Sequence, residues 1–125
     1  MNRIGIDIVQ LSALERRVTR SRNDYVGRFW TEEERTYCNG SIAHLGARWA
    51  AKEACMKVLR HGIGRIDPLD IEVYKVGDVP FLRLHDAAAD AAAAQGLSEF
   101  AVSLTREREW AAAIVSAKES RPDGN

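Results

Sequence analysis

The chain has 125 residues, enough for one ordinary domain with a true core and too few for two independent ones. Lys and Arg total 18 against 18 Asp and Glu, so no global field favours nucleic acid or an anionic membrane surface. No apolar run approaches the ~18 residues that span a bilayer, no apolar leader comes first, and Cys38 and Cys55 lack zinc-binding or C-x-x-C spacing, which together read as a cytoplasmic protein with reduced, buried thiols.

In chain order, RIGIDIV alternates, with Ile4, Ile6 and Ile8 on one face and Gly5, Asp7 and Val9 on the other, and predicts a first strand. LSALERRVTRSR holds four of the six Arg found between Met1 and Arg28, a span with only three acids. As a helix it would start on a Ser12/Glu15 capping box, bury Leu11, Leu14 and Val18, and turn its arginines outward. Thr31 and Glu34 mark a second helix start. The longest helical pattern runs from about Ile42 to Leu59 and ends at His61-Gly62, with Gly62 as C-cap. GIGRIDPLD reads as a loop, Asp70 to Val76 as a strand, Gly77-Asp78-Val79-Pro80 as a turn, and FLRLH as the partner strand of a hairpin. An alanine-rich helix closed by Gly96 follows, then two strands, FAVSLTR and AAAIVSA, separated by EREW. Strands and helices mix without βαβ alternation, so the class is α+β: a mostly antiparallel sheet packed against one long helix and shorter ones. The predicted domain covers 1–117, with 118–125 a flexible tail.

The stretch RWAAKEACMKVL places charges inside a core-forming helix. On a helical wheel Arg48 and Lys52 fall together, and Glu53 and Lys57 fall together on a different side. As exposed i,i+4 arrangements they are worth only about 0.2–0.5 kcal/mol per pair. Asp7 adds a second reading, because a strand centre disfavours Asp. If Asp7 and Glu53 converge, two hard oxygen ligands suit Mg²⁺ completed by phosphate oxygens, with Lys57, Lys52 and Arg48 as anion-holding cations. His44, His61 and His85 fall in unrelated patterns, and Trp49 and Met56 read as core.

GIDIV, RWAAKEACMKVL, HGIGR, GDVPFLRL and SLTREREWAAAIV, in this order, resemble the holo-acyl-carrier-protein synthase group of 4′-phosphopantetheinyl transferases, over about Arg3 to Val115. The length is similar to that of the short, trimeric members. The resemblance implies Mg²⁺-dependent transfer of the 4′-phosphopantetheine arm of coenzyme A to a serine of an apo acyl carrier protein, releasing 3′,5′-ADP. It implies Asp7 and Glu53 as metal ligands and catalytic groups, with Glu53 or a metal-bound water helping to deprotonate the serine. Lys57 would hold a coenzyme A phosphate, Arg48 and the backbone at Gly62 to Gly64 the 3′-phosphate, and Pro80 would lie near the adenine. Lys52 joins this binding set as the remaining cation of the helix. Many members carry a histidine where SLTR places Arg106, which cannot act as a base at ordinary pH but can clamp phosphate oxygens. Arg16, Arg17, Arg20, Arg22 and Arg28 would dock the acidic helix of the carrier protein. Two other readings stand beside this one: a catalytically silent carrier-protein or coenzyme A binding module, and a different Mg²⁺-dependent nucleotide pyrophosphate enzyme.

Overall fold

A computed structural model describes residues 1–21 and 23–120 of the chain; Arg22 and the last five positions of the expected tail lie outside the described residues. Strands β1 (Asn2–Gln10), β4 (Leu97–Glu107) and β5 (Trp110–Glu119) form an antiparallel sheet in the order β1-β5-β4. Strands β2 (Ile71–Val76) and β3 (Val79–Leu84) form a separate antiparallel hairpin. Helices α1 (Leu11–Ser21), α2 (Asn23–Phe29), α3 (Glu32–Cys38), α4 (Ile42–Leu59) and α5 (Asp86–Ala94) complete the α+β arrangement.

The centre of the molecule is α4, which buries thirteen of its eighteen residues. It lies on β1 and β5, and the sheet accepts it because the facing side chains are small. Gly5 on β1 and Ala111, Ala113, Val115 and Ala117 on β5 are all buried. Small residues let a helix backbone approach a sheet closely, which increases dispersion contact per residue. A second cluster gathers Trp30, Trp49, Phe29 and Tyr25, with the Trp30 indole N–H donating to the Leu45 carbonyl at 3.0 Å.

The contacts change several local expectations. The α1 capping box does not form: Leu11 already begins the helix, and the Ser12 N–H donates at 2.8 Å to the Glu109 carboxylate from the β4–β5 turn. Leu11 and Leu14 are buried as the stripe requires. Helix α2, unmarked by any strong periodicity, follows it. The Thr31/Glu34 capping box is present at α3. Helix α4 ends on Arg60 in the left-handed conformation, φ 60°, with its N–H returning to Lys57 and Met56, so Gly62 is not the cap. The hairpin turn is the pair Gly77-Asp78, with Gly77 at φ 60° and Val76 opposite Val79, so Val79 and Pro80 already belong to β3. Lys118 and Glu119 belong to β5 and not to a tail. Glu119 takes two hydrogen bonds from the Arg3 guanidinium, at 3.1 and 2.8 Å, and this pair ties the end of the sheet to its first strand.

Candidate active site

The two carboxylates singled out in the sequence come together through a glycine. A Cβ built on Gly5 would stand 2.1 Å from the Ala54 carbonyl oxygen, so β1 touches the α4 backbone at a point only glycine permits. Asp7 follows two residues along the same strand face, and Ala54 is next to Glu53. Burial pushes the Glu53 carboxyl above its ordinary range, and the Asp7 charge raises it further, while Lys57 and Arg17 pull it back. The Lys57 ammonium donates to the Ile6 carbonyl at 2.7 Å and to Asp7 Oδ1 at 3.2 Å. Glu53 and Lys57, one turn apart on α4, therefore work on the same side of the helix as Asp7.

The donors here are hard oxygens, and Lys57 shows that a cation fits against them. Among the described residues no group of three or more His, Cys, Asp or Glu side chains is arranged to hold a metal. Two carboxylates could hold a divalent cation only if water and substrate oxygens supplied the rest of its shell, a coordination habit that Mg²⁺ has.

The other charged strip of α4 is not a solvated face. Arg48 and Lys52 are 1% and 0% exposed. Lys52 Nζ donates to Glu34 Oε1 at 2.7 Å and to the carbonyls of Pro68 at 2.8 Å and Ile71 at 2.5 Å. All three ammonium protons are used, so Lys52 has no donor left for coenzyme A and leaves the predicted binding set. Its role is structural. Glu34 Oε2 also accepts from the Val73 N–H at 2.9 Å, so one buried ion pair fixes α4 to the start of α3 and to β2.

Arg48 differs. Its guanidinium lies 4.3 Å from the Tyr37 ring centroid, and among the described residues its Nε finds no hydrogen-bond partner. A buried donor left unpaired is costly, and this one borders two neighbouring cavities that also share Lys75. One, of about 260 Å³, is lined by His44, Ala47, Arg48, Lys75, Leu104, Thr105 and Arg106. The other, of about 220 Å³, lies between α3 and the β2–β3 hairpin, beside Tyr37 and Arg83. Burial lowers the His44 imidazole's proton affinity, and the charges of Arg106, Arg48 and Lys75 lower it further. The cavity is therefore strongly cationic and suited to a multiply charged anion. Arg48 and Arg106, nominated separately in the sequence, line the same cavity. Lys75 and His44 were not nominated from the sequence: His44 stands on α4 one turn before Arg48, a spacing that could have flagged it, whereas Lys75 on β2 is brought in only by the fold.

The other nominated residues distribute around these two centres. Gly62 and Gly64 are exposed in the loop after α4, and Gly64 lines a cavity of about 570 Å³ with Arg28, Phe29, Ile63, Arg65 and Pro68 among its walls. Pro80 sits on β3 opposite Lys75. Arg16, Arg17 and Arg20 are exposed on α1, and Arg28 is exposed near the end of α2. Cys38 and Cys55 are free and buried, and burial pushes their thiols up to about 11 and about 12, so neither is a nucleophile at neutral pH. No helix among the described residues is long and apolar enough to cross a membrane.

A family model described as the 4′-phosphopantetheinyl transferase superfamily matches residues 3–115. The chain is 39% identical over 120 residues to the holo-[acyl-carrier-protein] synthase of Moorella thermoacetica, with 93% of each chain covered. It is 41% identical over 117 residues to that of Halorhodospira halophila, covering 90% of this chain and 93% of the relative. The fold matches the crystal structure of Helicobacter pylori holo-[acyl-carrier-protein] synthase in complex with coenzyme A, with a TM-score of 0.84, 27% identity, and coverage of 93% of this chain and 100% of that one.

Proposed function

The chain belongs to the 4′-phosphopantetheinyl transferase superfamily, and from that premise we propose that it moves the 4′-phosphopantetheine arm of coenzyme A onto a serine of an apo acyl carrier protein, releasing 3′,5′-ADP. The observation that carries the reading is the seating of Asp7 beside the Glu53 segment through the Gly5–Ala54 contact, with the Lys57 ammonium against Asp7.

Asp7 and Glu53 would hold Mg²⁺, which when bound neutralises charge on the diphosphate and polarises the phosphorus under attack. The carrier serine oxygen bonds to the phosphorus that bears the pantetheine, and the bond from that phosphorus to the bridging oxygen of 3′,5′-ADP breaks. Glu53 is the carboxylate suited to take the serine proton as general base. Lys57 binds a phosphate oxygen. Arg106, permanently charged, acts with Arg48 and Lys75 to hold the 3′-phosphate, a role supported by their common cavity.

The partners follow from two surfaces. The exposed arginines of α1 and Arg28 offer charge complementary to an acidic carrier helix. On the sheet face turned away from α4, Ile4, Ile6, Ile8 and Ile114 are 70, 57, 61 and 47% exposed, with Ile6 directly opposite Ile114. An apolar stripe of this kind needs a cover, and a homotrimer supplies it while bringing one copy's carboxylates toward another's cationic cavity. A cytoplasmic location accords with the two free thiols.

The test is mass spectrometry of an apo carrier incubated with coenzyme A, Mg²⁺ and the protein. Transfer adds about 340 Da, the mass of the arm the cofactor carries. No gain on several carriers, together with phosphate release from nucleotides in the absence of any carrier, would overturn the reading.

A further inference from the structure

Lys57 behaves unlike a surface lysine. Its side chain is 56% exposed, so water is available to its ammonium. It is instead directed onto β1, with Ile6 O at 2.7 Å and Asp7 Oδ1 at 3.2 Å. Holding a lysine in one geometry removes most of its rotamer freedom, and a single exposed ion pair rarely compensates for that. Here the site offers more than one pair: a backbone carbonyl, the Asp7 carboxylate, and the Glu53 carboxylate whose charge Lys57 also moderates from one turn away on α4. Two carboxylates and a carbonyl oxygen form the donor set that a divalent cation seeks, and an ammonium answers the same negative field.

These contacts exclude one another once a divalent ion arrives. An ion bound by Asp7 takes lone pairs that Lys57 now uses, and its double charge repels the ammonium at close range. Lys57 must turn to another anion. In the reaction proposed above, which this inference rests on, the nearest anion to the cation is the diphosphate of coenzyme A.

We propose that Lys57 is an internal counter-ion that takes the divalent cation's place at Asp7, and that metal binding displaces it and delivers it to the substrate phosphate. The metal and the nucleotide are then coupled through one side chain. Metal alone binds weakly because it must evict a cation. With coenzyme A present the evicted cation has a new partner, so each ligand tightens the other by the same factor.

The experiment is Mn²⁺ binding to the full chain without coenzyme A, read as free Mn²⁺ by electron paramagnetic resonance, and then repeated with coenzyme A. Lys57→Met should bind Mn²⁺ alone about two- to fivefold more tightly than the unmodified protein, as loss of a competing, partly exposed charge predicts, and coenzyme A should tighten it by a smaller factor. Asp7→Asn should bind more weakly. Lys57→Gln repeats the measurement should the methionine variant fold poorly. Equal or weaker Mn²⁺ binding by both Lys57 variants, with Asp7→Asn still weakened, overturns the counter-ion role and leaves the metal site standing. Unchanged Mn²⁺ binding by both Asp7→Asn and Glu53→Gln overturns the metal site itself, and the inference with it.

Discussion

Replacing Gly5 with alanine asks whether one backbone contact holds the catalytic geometry. The new Cβ would lie 2.1 Å from the Ala54 oxygen, 3.1 Å from the Ala54 carbonyl carbon and 3.1 Å from Val58 Cγ2. An ordinary C···O approach is about 3.3 Å or more, so β1 and α4 must separate by roughly 1 Å. The nearest obstacle is backbone, and no side-chain rotation relieves it. Overpacking of this kind costs about 1–3 kcal/mol. At roughly 4 °C per kcal/mol for a chain of this size, the melting temperature should fall by about 4–12 °C. The second consequence is chemical. Asp7 rides on β1 and Glu53 on α4, so the separation passes directly into the distance between the carboxylates. A misplacement near 1 Å is worth about 10²-fold in rate. The assays are thermal unfolding by circular dichroism and transfer to an apo carrier by mass spectrometry, both at saturating Mg²⁺ and below the variant's melting range. Gly27 is the control: nothing lies within 4 Å of a Cβ added there, and Gly27→Ala inside α2 should stabilise by about 0.5–1 kcal/mol. A Gly5→Ala protein that melts and turns over like the parent would refute the packing argument. One that melts lower but keeps full turnover would refute the link from packing to the site.

Further outcomes follow from particular groups. The fold raises the Glu53 proton affinity, so the folded state binds its proton more tightly than the unfolded one, and stability falls as pH rises from the ordinary carboxylate range through the raised value. Glu53→Gln should therefore melt higher than the parent at neutral pH in a chelator, while losing transfer activity; a lower melting temperature would show that the carboxylate is stabilising where it stands. Lys52→Met removes one half of a fully buried pair and should cost about 3–5 kcal/mol, whereas Lys57→Met should cost less than about 1 kcal/mol; equal losses in urea unfolding would contradict the division between the two lysines. Arg106→Ala should raise the KM for coenzyme A about 10- to 100-fold with a smaller change in kcat, and Arg106→His should keep substantial activity. In the same cavity, binding of coenzyme A should raise the His44 proton affinity, since an anion offsets the surrounding cations; NMR titration showing no change would place the 3′-phosphate elsewhere.

Much of the chemistry was legible in the chain because it depends on residue type at fixed local spacing. The period-2 strand carrying Asp7, the i,i+4 pair Glu53 and Lys57, and the Thr31/Glu34 capping box are all properties of neighbours along the chain. The limits of α4 were also readable from periodicity, although the residue closing it was not. A left-handed Arg60 ends the helix, and no local rule prefers arginine to the glycine two positions later.

Which charge faces what is a different kind of fact. The wheel put Arg48 with Lys52 and could not say that their strip is the buried one. Lys52 is neutralised by Glu34, 18 residues away, and donates to the carbonyls of Pro68 and of Ile71 on β2, so its identity as a strut and not a ligand exists only once α3, α4 and β2 have met. In the same way alternation assigned Ile4, Ile6 and Ile8 to one face without saying that this face looks outward. Residue order alone determined the α+β class and the ordered motifs on which the family resemblance rests, because each follows from local pattern; the approach of the Asp7 strand to the Glu53 helix needed the Gly5–Ala54 contact. Burial decided the rest. Whether a charge is a tool or a brace depends on its distance from water and from charges far along the chain, and those distances are set only when the sheet closes on α4.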